Sequence, residues 1–227
     1  MVDDTQESGG RTKVAVVVGA GPGMGMALAR RFGDEGYALG LIARDASKLG
    51  NAITEAGLKA MALSADASDG AALRSAFARI RETLGNPDVL LYNPSLGIPG
   101  MPTEVAPADV VRGLLLGAVG AVVAAQECAP AMRAAGQGTM LFTGSIVGIK
   151  PWAPGAALGM QKAALRNYVY ALADELTPEG IHVALVTIKG VITPGTHFDP
   201  ALIAEEFWKL HAQPRDSWGT EVVYSKD

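Results

Sequence analysis

Short, unbroken apolar runs alternate along the chain with longer segments whose apolar residues recur at helical spacing. The first run, residues 13–19, has the sequence KVAVVVG, and its β-branched side chains are typical of a strand buried on both faces. Residues 70–84 place Leu73, Phe77 and Ile80 on one face of a helix. The same two patterns predict further strands at 37–43, 60–63, 88–92, 139–143, 181–188 and 221–224. They predict further helices at 25–36, 46–56, 107–135, 156–176 and 200–210.

This alternation determines the expected fold class. Strands that alternate with helices favour a parallel sheet, because each return to a parallel strand requires a crossover over one face of the sheet. We therefore expect an α/β fold with a Rossmann-like, doubly wound parallel sheet of about seven strands and helices on both faces. No repeat, linker or low-complexity segment interrupts residues 12–227, which predicts a single domain. Residues 1–11 are mostly polar, resemble neither a signal peptide nor a transit peptide, and are expected to form a flexible tail.

Composition narrows the functional classes. With 227 residues, of which 49% are hydrophobic and 19% charged, the chain has the content of a folded domain rather than of a disordered segment. A formal net charge of −4, without a cluster of lysine or arginine, argues against a nucleic-acid surface. A single cysteine excludes an internal disulfide, and no metal site is predicted. The longest apolar stretch, residues 114–125, is shorter than the ~20 residues that span a bilayer, so we expect a cytoplasmic protein that does not cross a membrane.

A glycine-rich segment joins the first predicted strand to the first predicted helix. It has the sequence GAGPGMG and contains Gly19, Gly21, Gly23, Met24 and Gly25. Glycines allow a tight turn and a close approach of phosphate to the backbone, and the following helix offers free N–H groups and the positive end of its dipole. These residues are expected to bind the pyrophosphate of a dinucleotide. A plain turn between strand and helix is the alternative interpretation.

Two charged residues follow the next two predicted strands, where a doubly wound sheet would place an adenosine. Arg44 comes after the second strand, and an arginine there suits the 2′-phosphate of NADP(H), whereas an acidic residue would favour NAD(H). NADP(H) is accordingly the preferred cofactor, with NAD(H) as the alternative. A solvated residue at the start of a helix is the alternative interpretation of Arg44. Asp66 is placed to reach the adenine edge or to cap the following helix.

Three further motifs follow later strands in the sequence. Asn93 follows the fourth strand, Ile192 and Thr193 follow the sixth, and Lys162 lies 17 residues after Ser145. Together with the glycine loop, these residues make the chain similar to the short-chain dehydrogenase/reductase family over nearly its whole length. The resemblance implies a dinucleotide-binding domain in which Asn93, Lys162, Ile192 and Thr193 also contact the cofactor.

The catalytic segment departs from the family pattern at its proton donor. The family carries a tyrosine 13 residues after the serine, and this position is Leu158 here. The family's helix asparagine falls on Gly117. The glycine-rich segment after the first strand also contains Gly-Pro-Gly at residues 21–23. Near the C-terminus, residues 207–215 have the sequence FWKLHAQPR, and Trp218 lies three residues further on. The chain therefore resembles a divergent subgroup of the family that lacks the catalytic tyrosine.

The loss of the tyrosine changes the expected mechanism, because hydride transfer to a carbonyl produces an alkoxide that requires a proton. The resemblance assigns Ser145 to the substrate oxygen and Lys162 to the hydroxyls of the nicotinamide ribose. His197, in the loop after the sixth strand, is the candidate substitute acid, since an imidazole titrates near neutral pH. A solvent-facing loop residue is the alternative interpretation. The predicted catalytic residues are thus Ser145, Lys162 and His197.

These observations support one main hypothesis and two alternatives. The main hypothesis is an NADP(H)-dependent oxidoreductase that acts on a hydrophobic carbonyl, enone or imine with an atypical proton donor. The alternatives are a non-redox enzyme of the same fold, such as a cyclase, isomerase or lyase, and a catalytically inactive binding protein. By resemblance, the two long helices at 107–135 and 156–176 would pack against their copies in a homodimer or homotetramer. The expected partner is a small hydrophobic molecule.

Overall fold

The computed structural model describes residues 11–226, and all the strands in this range join one parallel sheet. The strands are β1 (Val14–Val18), β2 (Ala38–Ala43), β3 (Ala60–Ser64), β4 (Val89–Tyr92), β5 (Gly138–Ser145), β6 (Ile181–Ile188) and β7 (Glu221–Tyr224). Their order is β3-β2-β1-β4-β5-β6-β7, so the chain extends the sheet outward from β1 and then returns to build its other half from β4. The predicted doubly wound sheet of about seven strands is confirmed.

The described range contains seven α-helices, six of which cover the two faces of the sheet. They are α1 (Met24–Asp34), α2 (Gly50–Glu55), α3 (Gly70–Thr83), α4 (Pro107–Leu114), α5 (Gly120–Ala135), α6 (Ala156–Leu176) and α7 (Pro200–His211). Helices α3, α5 and α6 pack on one face, and α1, α2 and α7 pack on the other. Each face therefore has its own hydrophobic core.

Strand β1 shows why an unbroken apolar run belongs in this position. Val14, Val16 and Val18 point into the core beneath α3, α5 and α6, whereas Ala15 and Val17 point into the core beneath α1 and α7. Successive side chains of a strand alternate between the two faces of a sheet. A central strand covered on both sides therefore needs apolar residues at every position.

Residues 107–135 form one continuous helical rod, as predicted, with a π-helical segment at Leu115–Val119 between α4 and α5. The rod is longer than the apolar stretch at 114–125, and its length and composition alone would allow it to cross a membrane. Ala121, Ala124 and Cys128 of the rod are instead buried in the core above the sheet. Helix α5 is therefore a core helix of the α/β fold, and its inner face packs above the sheet.

Two expectations differ from the structure in detail. The segment predicted as one helix at 46–56 consists of a 3-10 turn, Ala46–Leu49, followed by α2, because the Asp45 carboxylate accepts the Ser47 N–H and begins a tighter turn first. The predicted tail lies outside the described residues except for Arg11. The Arg11 guanidinium donates to both oxygens of Asp88 at 2.9 and 2.6 Å, which anchors the chain just before β1.

Candidate active site

A cleft of about 810 Å³ opens at the carboxyl ends of the central strands. It lies where the chain switches from building outward from β1 to building outward from β4, which is the usual ligand position in a doubly wound sheet. The loops after β1, β2, β4, β5 and β6 line it, together with one turn of α6. The predicted site residues that line this cleft are Gly19, Gly21, Met24, Arg44, Asn93, Ser145, Lys162 and Ile192.

The glycine loop between β1 and α1 has the backbone geometry of a phosphate site. Gly19 has a φ of +82°, and a Cβ on Gly25 would lie 2.3 Å from the Gly19 carbonyl oxygen. No atom lies within 4 Å of where a Cβ would stand on Gly21 or Gly23, so the loop leaves open space beside its backbone. Helix α1 begins without a side-chain cap. The Met26 N–H donates to the Gly21 carbonyl oxygen at 2.9 Å, which leaves the N–H groups of Met24 and Gly25, together with the positive dipole end, for an anion.

Arg44 and Asp66 lie at the end of the cleft near β2. A smaller cavity of about 100 Å³ adjoins the cleft at Arg44 and is also lined by Asp66. The Asp66 carboxylate accepts hydrogen bonds from the backbone N–H and hydroxyl of Ser68, at 2.9 and 2.7 Å, which lower its pKa. Helix α3 is capped by Asp69, so the alternative that Asp66 caps it is wrong. Arg44 is exposed and makes no salt bridge within 4 Å among residues 11–226, but its positive charge contributes to lowering the pKa of Asp66.

A chain of hydrogen bonds links Lys162 to the glycine loop. The Lys162 Nζ donates to the Thr143 carbonyl oxygen at 2.7 Å, the Thr143 hydroxyl donates to Asn93 Oδ1 at 3.0 Å, and Asn93 Nδ2 donates to the Gly19 carbonyl oxygen at 3.1 Å. Lys162 is 4% exposed, and burial lowers its pKa to about 8. No carboxylate within the described chain pairs with it, so a carbonyl dipole is its electrostatic partner.

Ser145, Leu158 and Lys162 all line the cleft at the side formed by β5 and α6, which we call its inner end. Ser145 is the last residue of β5, and Leu158 lies one helical turn before Lys162 on α6. The other titratable side chains that line the cleft are Arg44, Asp45 and Lys48, all of which follow β2. Lys162 is therefore the titratable group that the described residues place at this inner end.

No tyrosine among residues 11–226 lines the cleft in place of residue 158. Tyr92 is buried, and its hydroxyl donates a 2.5 Å hydrogen bond to the Leu116 carbonyl oxygen. Burial raises the pKa of Tyr92, which suits a packing role. Tyr170 donates to Glu221, the first residue of β7, at 2.7 Å. The absence of the family's phenol is therefore not compensated by a neighbouring one in this part of the molecule.

The structure does not bring His197 to Ser145 and Lys162. The His197 Nε2 lies 2.9 Å from the Ser225 carbonyl oxygen, and its ring stacks on Tyr224 with centroids 4.8 Å apart. This packing holds the imidazole against the end of β7, which corrects the expected position of the substitute acid in the cleft. Thr193 also does not line the cleft, since its N–H and hydroxyl are engaged by the carbonyls of Phe198 and Val191.

Two polar residues of the site are absent from the sequence-based predictions. Thr143 joins Lys162 to Asn93 as described above. Gln161 is fully buried next to Lys162, and its side chain contacts the backbone of Leu96 beside the cleft. The sequence alone contains a signal for Gln161, because a polar residue among the buried apolar positions of a helix needs hydrogen-bond partners.

Known proteins resemble the chain in both sequence and fold. The short chain dehydrogenase family model matches residues 13–200. An uncharacterized oxidoreductase of Methylorubrum extorquens is 30% identical over 95% of this chain and 91% of its own length. The structure of a metagenomic short-chain oxidoreductase in complex with NADP is 31% identical, with a TM-score of 0.85 over 94% of this chain and 96% of that chain.

A short-chain dehydrogenase from Rhodopseudomonas palustris is 26% identical and has a TM-score of 0.87 over 96% of this chain and 100% of its own. The structural matches cover nearly the whole chain, and the range matched by the family model, residues 13–200, spans the glycine loop, Ser145 and Lys162. From its fold, its cleft and these relatives, the chain belongs to the short-chain dehydrogenase family of oxidoreductases.

Proposed function

We propose that the protein is an NADP(H)-dependent oxidoreductase that acts on a hydrophobic carbonyl, enone or imine. One observation supports this function most directly: a single cleft connects the start of α1, which has no side-chain cap, with Ser145 and Lys162. Its outer end suits a pyrophosphate, and its inner end suits a substrate oxygen. The metagenomic relative in complex with NADP supports the same cofactor for this chain.

The residues present fit a nicotinamide dinucleotide. Gly21 and Gly23 leave open backbone for the pyrophosphate, and Arg44 offers a guanidinium without an ion-pair partner in the described range to a 2′-phosphate. Asn93 and Lys162 line the inner part of the cleft, where the ammonium group suits the nicotinamide ribose. When bound, the cofactor donates or accepts a hydride. NAD(H) is the alternative cofactor, because Arg44 is exposed and is not held toward the cleft by a neighbour.

The chain itself must orient the substrate oxygen and deliver a proton. The Ser145 hydroxyl at the end of β5 donates a hydrogen bond to that oxygen. The proton is assigned to the Lys162 Nζ, because Leu158 offers only apolar surface and His197 is packed against Tyr224. The Thr143 carbonyl holds the ammonium group in place.

This arrangement favours substrates that place a smaller demand on the proton donor. A protonated imine becomes a neutral amine when it accepts a hydride, and an enone becomes an enolate that Ser145 can stabilise by a hydrogen bond. A plain ketone becomes a strongly basic alkoxide, which needs a general acid. The inner lining includes Leu116, Leu158 and Ile188 and contains no carboxylate among the described residues, which favours an uncharged, hydrophobic substrate.

A non-redox enzyme of the same fold is a second candidate, and one observation favours it. Leu158 and Gly117 occupy the two positions at which the family resemblance places a polar proton-relay side chain. A cyclase, isomerase or lyase would use the cleft without hydride transfer. Product formation with no change in nicotinamide absorbance would distinguish this candidate from an oxidoreductase.

We also propose that the protein acts in the cytoplasm as a homodimer or homotetramer. Val111, Leu115 and Val119 are 53%, 39% and 47% exposed and recur every fourth residue along the helical rod. Such a ridge of exposed apolar residues is typical of an interface. Sedimentation of the purified protein tests the assembly, and Leu115→Glu is expected to shift it toward monomers.

Titration calorimetry with NADPH and NADH tests the proposed cofactor. The expected result is tight binding of NADPH and binding of NADH weaker by about tenfold or more. Absence of binding for both would contradict a dinucleotide-dependent function. Where NADPH binds, a panel of hydrophobic ketones, enones and imines monitored by nicotinamide absorbance then tests the reaction. Turnover of enones or imines ahead of ketones is the expected order.

A further inference from the structure

Gln161 is a polar residue in an apolar position. It lies on α6 between the buried residues Ala157 and Leu165, which are four positions before and after it, and its own exposure is 0%. A buried amide without partners would cost free energy, so its hydrogen bonds should be informative. Neither the cleft lining nor the proposed chemistry involves Gln161 directly.

The Gln161 amide binds the backbone of one residue on the loop between β4 and α4. The Leu96 N–H donates to Gln161 Oε1 at 3.3 Å, and Gln161 Nε2 lies 3.5 Å from the Leu96 carbonyl oxygen. We call residues 94–99 the Leu96 loop. Among residues 11–226, the Leu96 loop makes hydrogen bonds only with Gln161. The next backbone hydrogen bonds on either side of the loop are those of Asn93 with Val18 and of Gly100 with Pro154.

The helical rod opposite α6 has a groove that admits Gln161. A Cβ on Gly117 would lie 2.2 Å from Gln161 Cγ and 2.6 Å from Oε1, and a Cβ on Gly113 would lie 3.1 Å from Nε2. These two glycines lie one turn apart, and Gly117 is in the π-helical segment. Segments of π-helix occur frequently at functional sites. The glycine at position 117 therefore makes room for the side chain that holds the Leu96 loop.

Leu96 connects this contact to ligand binding. It lines both the main cleft and the smaller cavity that Arg44 and Asp66 share. Pro94 and Ser95 of the same loop also line the main cleft. The Leu96 loop thus forms a wall of the cleft at the end where the adenosine of a dinucleotide would lie.

We propose that Gln161 is a positioning residue that fixes the Leu96 loop and thereby sets the affinity of the cleft for the dinucleotide. The effect on the loop follows from the contacts alone, whereas the effect on affinity rests on the proposed function. Gly113 and Gly117 are the partners that allow Gln161 to reach Leu96.

Hydrogen exchange in the variant Gln161→Met tests the effect on the loop without any ligand. Methionine is similar in length and can fill the groove, but it cannot bind the Leu96 backbone. We expect exchange of the Leu96 amide, which is the hydrogen-bonded amide of residues 94–99, to become about tenfold faster, while exchange in β4 stays unchanged. Gln126→Met, on the exposed side of α5, is the matched control and should change exchange in neither place.

Calorimetry of the same variants tests the effect on affinity. Gln161→Met is expected to raise the Kd for NADPH about fivefold, with a melting temperature within about 3 °C of the wild type. A role confined to general stability would lower the melting temperature and leave the Kd of the folded protein unchanged. If the wild type binds no NADPH, the proposed function fails, and the exchange result still decides whether Gln161 holds the loop.

A second variant keeps the proposal testable if Gln161→Met does not fold. Gly117→Ala adds a Cβ that displaces Gln161 from Leu96, so exchange of the Leu96 amide should again rise. Adding Gln161→Ala to Gly117→Ala removes the collision and should recover part of the lost stability, while the loop remains released. Unchanged exchange of the Leu96 amide in folded Gln161→Met, or in Gly117→Ala, would overturn the proposal.

Discussion

The ammonium group of Lys162 donates a 2.7 Å hydrogen bond to the carbonyl oxygen of Thr143 in the last part of β5. This bond holds a buried charge at the inner end of the cleft without help from a carboxylate in the described chain. A buried ammonium with such a partner reduces stability at neutral pH, because burial disfavours its charged form. Its position is therefore better explained by a role in binding and chemistry than by a role in folding.

Lys162→Met should increase the stability of the fold and weaken cofactor binding. The decrease in the Lys162 pKa from 10.5 to about 8 corresponds to about 3 kcal/mol at pH 7. The unpaired Thr143 carbonyl would offset about 1–3 kcal/mol of that gain. We expect a net increase of about 1 kcal/mol in the free energy of unfolding, measured by urea denaturation, and a Kd for NADPH that rises about tenfold.

The pH dependence of stability provides a check on this interpretation of Lys162. Since the folded pKa lies below the unfolded one, the unfolded state binds more protons between about pH 8 and 10.5, and this residue's contribution to stability rises with pH in that window. The rise should be absent in Lys162→Met. Lys48→Met is the matched control, because Lys48 lines the same cleft but is 80% exposed. An equal slope in wild type and Lys162→Met would contradict the assignment.

Turnover should fall when the pH rises above about 8, if the Lys162 ammonium supplies the proton. Below its pKa of about 8 the group carries the proton, and above it the amine form predominates. We expect kcat for carbonyl reduction to decrease about tenfold per pH unit on the alkaline side. A kcat that stays constant up to pH 10 at saturating NADPH would show that water or another group is the donor.

Acid should destabilise the fold through His211. Its two ring nitrogens lie 2.8 Å from the Tyr37 hydroxyl and 2.9 Å from the Thr139 hydroxyl, and burial lowers its pKa to about 4. Because the folded pKa lies below the unfolded value of 6.5, stability is fully present above about pH 6.5 and is lost as the pH falls toward 4. The loss should be about 3 kcal/mol and smaller in His211→Gln. His197→Gln, on the exposed loop, is the control, and an identical acid slope in all three proteins would refute this role.

The course of the chain could be predicted because its main signals are local. β1 and β6 are apolar at nearly every position and lie between two layers of helices. In α3, the apolar residues of the inner face recur at helical spacing. The phosphate loop and Lys162 could also be predicted, since a strand, a glycine loop and a helix follow one another directly. These signals depend on neighbouring residues and need no knowledge of distant contacts.

The site could be predicted only in part, because several of its contacts join distant residues. Gln161 meets Leu96 across 65 positions of sequence, and the fit depends on the missing side chain of Gly117. His197 was expected in the cleft from its loop alone, but its position is decided by packing on Tyr224. Loops have no periodic pattern that predicts where a side chain will point.

Arg44→Asp should reverse the preference between the two dinucleotides. Arg44 follows β2 and lines the small cavity together with Asp66, whose pKa its positive charge lowers. An aspartate there would repel a 2′-phosphate and accept hydrogen bonds from ribose hydroxyls. We expect the Kd for NADPH to rise about 100-fold and the Kd for NADH to fall, as measured by calorimetry. Lys48→Gln, in the same cleft, should leave the ratio within about twofold. A ratio that does not change in Arg44→Asp would exclude Arg44 from 2′-phosphate recognition.

Leu158→Tyr should restore reduction of plain ketones. Leu158 is half-buried, lines the cleft and lies one helical turn before Lys162, so a phenol at this position would stand near both the ammonium group and Ser145. General acid catalysis by such a group contributes about 10²–10⁴-fold in rate. We expect kcat for ketones to rise by at least about tenfold, whereas reduction of imines changes little because that product needs no further proton. Leu158→Phe supplies the same ring without the hydroxyl and should reproduce none of the gain. If Leu158→Phe and Leu158→Tyr have equal ketone activity, proton supply is not what limits this site, and the non-redox candidate gains support.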